Sequence, residues 1–120
     1  MKIAYYSKTG KIEQFLEKTK VEEPFIIFDG SEEIGEKFIL ITSSYGLGEP
    51  HYEVEAFLEN NYKNLVAIIG SGDKNYGDLY CKAPKDFAKL YNVPLLFCFE
   101  HSGNEQDVEK FNEILKQYIK

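Results

Sequence analysis

The chain is predicted to be an α/β protein: a doubly wound, five-stranded parallel sheet of order 2-1-3-4-5, covered by helices on both faces. Three observations predict it. Short apolar runs alternate with stretches whose apolar residues recur at helical spacing, the signature of strand–helix–strand units. Two of the runs, Phe38 to Thr42 and Leu65 to Ile69, are apolar almost throughout, as strands buried on both faces are. Glycine- and hydroxyl-rich loops follow the first, third and fourth strands. With right-handed crossovers, strands one and three of this order adjoin at the switch point, and ligands bind beyond the carboxyl ends there.

Taken in order, Ile3 to Tyr6 is the first strand, followed by Ser7-Lys8-Thr9-Gly10-Lys11 and then by Ile12, Phe15, Leu16 and Thr19 at helical spacing. A loop feeding a helix presents unpaired amides to an anion, and Ser7 and Thr9 add hydroxyls, so this loop is a candidate phosphate cradle. Plain helix capping by Ser or Thr is the commoner use of such residues. The spacings of a Walker loop and of a dinucleotide fingerprint are both absent. Pro24 to Phe28 is the second strand, closed by Asp29-Gly30 and an acidic, Gly35-containing loop without visible chemistry. Phe38 to Thr42 is the central strand, with Ser43-Ser44-Tyr45-Gly46-Leu47-Gly48-Glu49-Pro50 as its exit loop and a helix marked by Val54, Phe57 and Leu58 after it. Leu65 to Ile69 is the fourth strand. Beyond the loop it feeds, Ala83, Phe87, Leu90 and Tyr91 form a helical stripe, and Val93 to Phe99 is the fifth strand, with Pro94 near its start. Val108, Phe111, Ile114, Leu115, Tyr118 and Ile119 mark the last helix.

At 120 residues, 43% of them hydrophobic and 28% charged, the chain is expected to form one domain over 1–120, soluble and without disulfide staples. No apolar run approaches the roughly 20 residues of a membrane span. The first strand begins at once, without a signal-peptide core, which gives the expectation of a cytoplasmic protein. Cys81 and Cys98 are expected to be reduced thiols with no catalytic task. His51 and His101, which show no metal-ligand spacing, are expected at the surface, and no metal site is expected. A net charge of −6 without a single arginine argues against nucleic-acid binding and leaves an anionic ligand to amides, hydroxyls and a few lysines.

The longest of the three loops, Gly70 to Cys81, combines glycines with Asp73, Asn75, Asp78, Tyr76 and Tyr80. Polar edges and flat apolar faces together suit a planar, heteroatom-rich ligand such as a flavin. A turn-rich surface loop is the plainer alternative. Convergence of three such loops on one edge of the sheet favours flavin mononucleotide (FMN).

The motifs S-K-T-G-K-I at Ser7 to Ile12, I-T-S-S-Y-G-L-G at Ile41 to Gly48 and G-S-G-D-K-N-Y-G-D at Gly70 to Asp78 resemble the three flavin-contacting loops of the NrdI family of small flavodoxin-like proteins. The likeness continues through Val93-Pro94-Leu95-Leu96 and Phe99 to Gly103 as far as Asp107-Val108. Lys11 stands where flavodoxin-like phosphate loops usually carry Asn, and Leu47 where the family often carries an aromatic. The resemblance implies a flavodoxin-like three-layer fold. It also implies a reduced FMN that reacts with oxygen to supply superoxide or a related oxidant for the dimanganese-tyrosyl radical centre of the class Ib ribonucleotide reductase small subunit. That subunit, oxygen and an electron-donating flavin reductase are the implied partners, and the role is that of an activase rather than a conventional turnover enzyme.

On this basis Ser7, Lys8, Thr9, Gly10 and Lys11 are expected to bind the phosphate. Ser43, Ser44, Tyr45, Gly46, Leu47, Gly48, Gly72, Asp73, Asn75, Tyr76 and Gly77 are expected to contact the ring. No side chain is expected to act as an acid or base, because the chemistry belongs to the flavin. By resemblance, the Gly46 peptide reorients when the flavin is reduced. A flavodoxin-type one-electron carrier and a non-redox binding or signalling module are the alternatives. A phosphoryl-accepting receiver lacks its acid here, since strand one ends at Ser7 and strand three at Thr42, and a low-molecular-weight phosphatase lacks its arginine.

Overall fold

The computed structural model describes residues 1–118. Its parallel sheet consists of β1 (Lys2–Tyr5), β2 (Phe25–Ile26), β3 (Phe38–Tyr45), β5 (Leu65–Gly72) and β6 (Leu95–Glu100), in the order β2-β1-β3-β5-β6. The helices are α1 (Lys11–Glu17), α2 (Tyr52–Asn61), α3 (Lys82–Tyr91) and α4 (Glu105–Tyr118). A further two-residue strand, β4 (Glu49–Pro50), folds back antiparallel on the end of β3, pairing Ser44 with Pro50 and Tyr45 with Glu49. Set β4 aside and the parallel strands follow the expected order. The sixth strand arises because Gly46 (φ 55°) and Gly48 (φ 91°) take left-handed conformations that reverse the chain where a plain exit loop was expected.

Alternation in the strands divides the core. Ile3, Tyr5, Ile39, Ile41, Ala67, Ile69, Phe97 and Phe99 face α1 and α4, whereas Ala4, Leu40 and Ile68 face α2 and α3. Phe38 to Thr42 have no exposed surface at all, as a central strand between two helical layers requires. On the first face Phe15 stacks on Phe99 with centroids 4.0 Å apart and meets the edge of Phe111. Pro94 precedes β6 and contributes only its carbonyl, which accepts from the Ile68 amide at 2.9 Å. Within α4, Phe111 is buried and Val108, Ile114, Leu115 and Tyr118 pack partly beneath it; Ile119 lies outside the described residues.

Several boundaries differ from expectation. β3 and β5 run three residues past Thr42 and Ile69, because the ladder continues through Thr42 to Gly70 and Ser43 to Ser71. β2 is only two residues long, whereas the crossover from it to β3 is the helix-free loop that was expected. Within it, the Glu32 carboxylate accepts from the amides of Phe28, Asp29 and Gly30. Most of the segment between β5 and α3 forms 3-10 turns over Lys74–Leu79, broken at Gly77. Among the described residues no helix is long and apolar enough to cross a membrane.

Candidate functional site

The parallel strands all end at one edge, and the segments leaving β1, β3 and β5 meet there. After β1, the Ser7 hydroxyl oxygen accepts from the amides of Ile12 (3.1 Å) and Glu13 (3.3 Å), so it caps α1 while its own proton stays free to donate. Gly10 is left-handed (φ 83°) with open space where a Cβ would stand. Among the described residues the amides of Lys8, Thr9 and Gly10 donate to no protein acceptor, which leaves a cluster of N–H groups for an anion. Two ammonium groups flank them. Lys8 Nζ lies 4.8 Å from the centre of the Tyr45 ring, and Lys11 Nζ is 3.1 Å from His101 Nδ1.

After β3, the two serines serve different partners. Ser43 Oγ is 3.0 Å from His51 Nε2, whereas Ser44 Oγ accepts from the Ala83 amide at 3.0 Å and so caps α3. His51 is buried beside Tyr6 and Tyr45, with ring centroids 5.0 and 6.0 Å away. Burial holds its pKa below the ordinary 6.5 despite the neighbouring Glu53 carboxylate, and Lys8 acts in the same direction as burial. Glu53 in turn accepts from the Tyr6 hydroxyl, which pushes Tyr6 up to about 12.

His51 therefore binds a proton less readily in the folded chain than in the unfolded one. As pH falls through 6.5 toward the lower folded value, the unfolded chain holds more protons and stability declines. His51→Gln, which can keep a hydrogen bond to Ser43, is expected to lose this part of the acid sensitivity. Urea titrations of both proteins on either side of 6.5 check it, and equal slopes would exclude His51 as the source.

After β5, Ser71 Oγ donates to the His101 carbonyl at 2.8 Å, and the His101 amide donates to Gly72 O at 3.0 Å. The Asp73 carboxylate accepts from the Asn75 amide at 2.9 Å, starting the 3-10 turn that presents Tyr76 to solvent. A Cβ on Gly72 would lie 3.1 Å from the Tyr80 ring, which packs closely over this glycine.

These segments enclose a cleft of about 450 Å³, within the range of small-molecule sites. Of the residues expected there, Ser7, Lys8, Thr9, Lys11, Ser43, Ser44, Tyr45, Gly46, Gly48, Gly72, Asp73 and Tyr76 line it. Gly10, Leu47, Asn75 and Gly77 do not. Gly10 shapes the loop through its backbone, Leu47 is exposed at the hairpin tip, and Asn75 and Gly77 are exposed in the 3-10 turns. Ile12, His51, Ser71, Leu79, Cys81 and His101 also line the cleft. The expectation of surface histidines fails at His51, which the hairpin folds inward. His101 is exposed, yet it stands on the cleft wall. It also gathers with Asp73 and Glu100, their polar atoms within 4.8 Å of one another, because the ends of β5 and β6 are paired. Lys74 Nζ lies 3.9 Å from the Glu100 carboxylate, and the Lys11 ammonium hydrogen-bonds to His101 Nδ1 from the other side.

FMN has a dianionic end and a flat ring with polar edges. The free amides of the first loop with Lys8 and Lys11 fit the former. The half-exposed rings of Tyr45 and Tyr76, with the polar backbone between them, fit the latter.

Known proteins agree. The family model described as NrdI flavodoxin-like matches residues 3–113. Protein NrdI of Macrococcus caseolyticus is 40% identical over 112 residues, spanning 93% of this chain and 86% of that protein. Two solved structures share the fold. A short-chain flavodoxin associated with a bacterial microcompartment matches with a TM-score of 0.74 at 16% identity, over 95% of this chain and 92% of that one. Oxidised flavodoxin 1 from Bacillus cereus matches with a TM-score of 0.69 at 18% identity, over 98% and 95%. The chain belongs to the NrdI family of flavodoxin-like proteins, whose cofactor is FMN.

Proposed function

We propose that the chain is a flavoprotein activase, which uses reduced FMN and oxygen to supply superoxide or a related oxidant to the dimanganese centre of a class Ib ribonucleotide reductase small subunit. The observation that carries this reading is the family match over residues 3–113 on a chain whose three matching loops meet in one open cleft. When bound, the flavin supplies the exchange of electrons with oxygen. The chain's own residues do the rest. Lys8, Lys11 and the amides of the first loop hold the phosphate. Tyr45 and Tyr76 offer apolar faces, and their exposure leaves the rim open to a small gas and to a docking protein. Gly46, left-handed at φ 55° with open space around it, is free to turn its peptide and offer its carbonyl to a protonated ring nitrogen.

The test is reconstitution. The FMN-loaded, fully reduced protein is mixed with a manganese-loaded small subunit and oxygen, and the tyrosyl radical is followed by electron paramagnetic resonance. Radical yield that depends on this protein supports the activase. Oxygen uptake with no radical above the protein-free control overturns it. Tyr76→Ala is expected to weaken FMN binding by about 1 kcal/mol, roughly fivefold, the scale of an aromatic contact beyond burial. Fluorescence titration measures it, and unchanged affinity would remove Tyr76 from the site.

A further inference from the structure

Neither thiol has a part in the function above, yet the fold brings the two together. Gly70 of β5 pairs with Cys98 of β6, so Cys98 lies one strand away. Phe97 and Phe99 point into the core under α1 and α4, which turns Cys98 to the opposite face, where α3 begins. Cys81 occupies the position just before α3, and its Sγ lies 2.9 Å from the place a Cβ on Gly70 would take. The missing side chain of Gly70 is the notch that receives this sulfur. Cys81 holds a left-handed backbone conformation (φ 55°) there, one that residues other than glycine and asparagine seldom adopt.

We propose that Cys81 and Cys98 form a dithiol couple that closes to an intramolecular disulfide when hydrogen peroxide reaches it. Cys98 is the attacking sulfur. It is partly exposed and opens to a surface depression with Tyr80 and Glu100, whereas Cys81 is buried. The Cys81 thiol beside it and the Lys85 ammonium favour the thiolate at Cys98, against its partial burial. Attack forms an S–O bond as the O–O bond breaks, giving the Cys98 sulfenic acid and hydroxide, which leaves as water with the thiol proton. Cys81 sulfur then attacks Cys98 sulfur. The S–S bond forms, the S–O bond breaks, and the second oxygen leaves as water carrying the Cys81 proton. Two thiols together lose two electrons, and one peroxide gains them. The bond ties β6 to the end of the segment that closes the cleft, since Cys81 also lines the cleft.

Exposing the FMN-loaded protein to excess hydrogen peroxide tests this, with intact mass, thiol titration in denaturant and non-reducing electrophoresis as readouts. The expected product is a monomer lighter by two hydrogens, with no titratable thiol, which dithiothreitol returns to two. In Cys81→Ser, Cys98 is expected to stop at the sulfenic acid and be captured by dimedone. In Cys98→Ser, the buried Cys81 is expected to lose its thiol at least tenfold more slowly than the wild type. Persistence of both wild-type thiols, oxygen adducts without a bridge, or a bridge between two chains would overturn the proposal.

Discussion

Gly30→Ala is expected to destabilise the protein by about 3 kcal/mol, combining ~1 kcal/mol of left-handed strain with about 2 kcal/mol of overpacking. Gly30 is buried with φ 93°, and a Cβ there would stand 2.5 Å from the Glu53 carbonyl oxygen, 2.6 Å from Ala56 Cβ and 3.0 Å from the Phe57 nitrogen. Two of those three atoms are helix backbone, which cannot swing aside. Relief requires α2 to move, and α2 begins beside His51, the partner of Ser43 on the cleft wall. Weaker FMN binding should therefore accompany the lower urea midpoint. Gly35→Ala is the control: φ is 69° but nothing lies within 4 Å of the added carbon, so strain alone, about 1 kcal/mol, is expected. Equal losses in the two variants would show that contact with α2 is not what Gly30 secures.

Gly30 also marks where the sequence stops being legible. An apolar run such as Phe38 to Thr42 can be buried only between two layers, so the layering follows from pattern, and the strand order from the doubly wound class which that pattern suggests. Asp29-Gly30 after a short apolar run looks like any strand end. The connection after it reads as a loop, but that the loop lays this glycine against α2 is announced by no periodicity. The β4 hairpin was equally hidden: Gly46 and Gly48 signal a turn, but not that the chain after it pairs back onto β3.

The cleft divides in the same way. Glycines and hydroxyls after apolar runs point to the right three segments, because that composition is local. The partner each hydroxyl takes is not local. Ser44 caps a helix whose donating amide is 39 positions away, and Ser7 spends its oxygen on α1, so a serine that looks poised for ligand is partly structural. His101 meets Lys11 across 90 positions, a contact fixed by where β1 and β6 end in the sheet.

Asn61→Asp is expected to cost about 3 kcal/mol or more at neutral pH, because it changes one atom in a buried group whose every bond is used. Asn61 closes α2, and its Oδ1 accepts from the Ile34 amide at 3.0 Å. Its Nδ2 donates to the carbonyls of Glu32 (2.8 Å) and Phe57 (2.9 Å). This one side chain pins the helix-free crossover to α2, the same contact that Gly30 makes from the other side. Aspartate keeps the acceptor but turns the second oxygen toward two carbonyls, so the charged form is repelled and desolvated and its pKa must rise in the folded chain. The folded form then holds its proton above the unfolded value of about 3.9, where the unfolded chain has lost it. The deficit is smallest below about 3.9 and grows as pH rises toward the folded pKa. Asn61→Ala removes the same bonds without adding a charge, so its deficit should be large but nearly independent of pH. Urea unfolding of the three proteins across the acid range separates the cases, and an Asp variant whose loss does not grow with pH would show that Asn61 is not held between those two carbonyls.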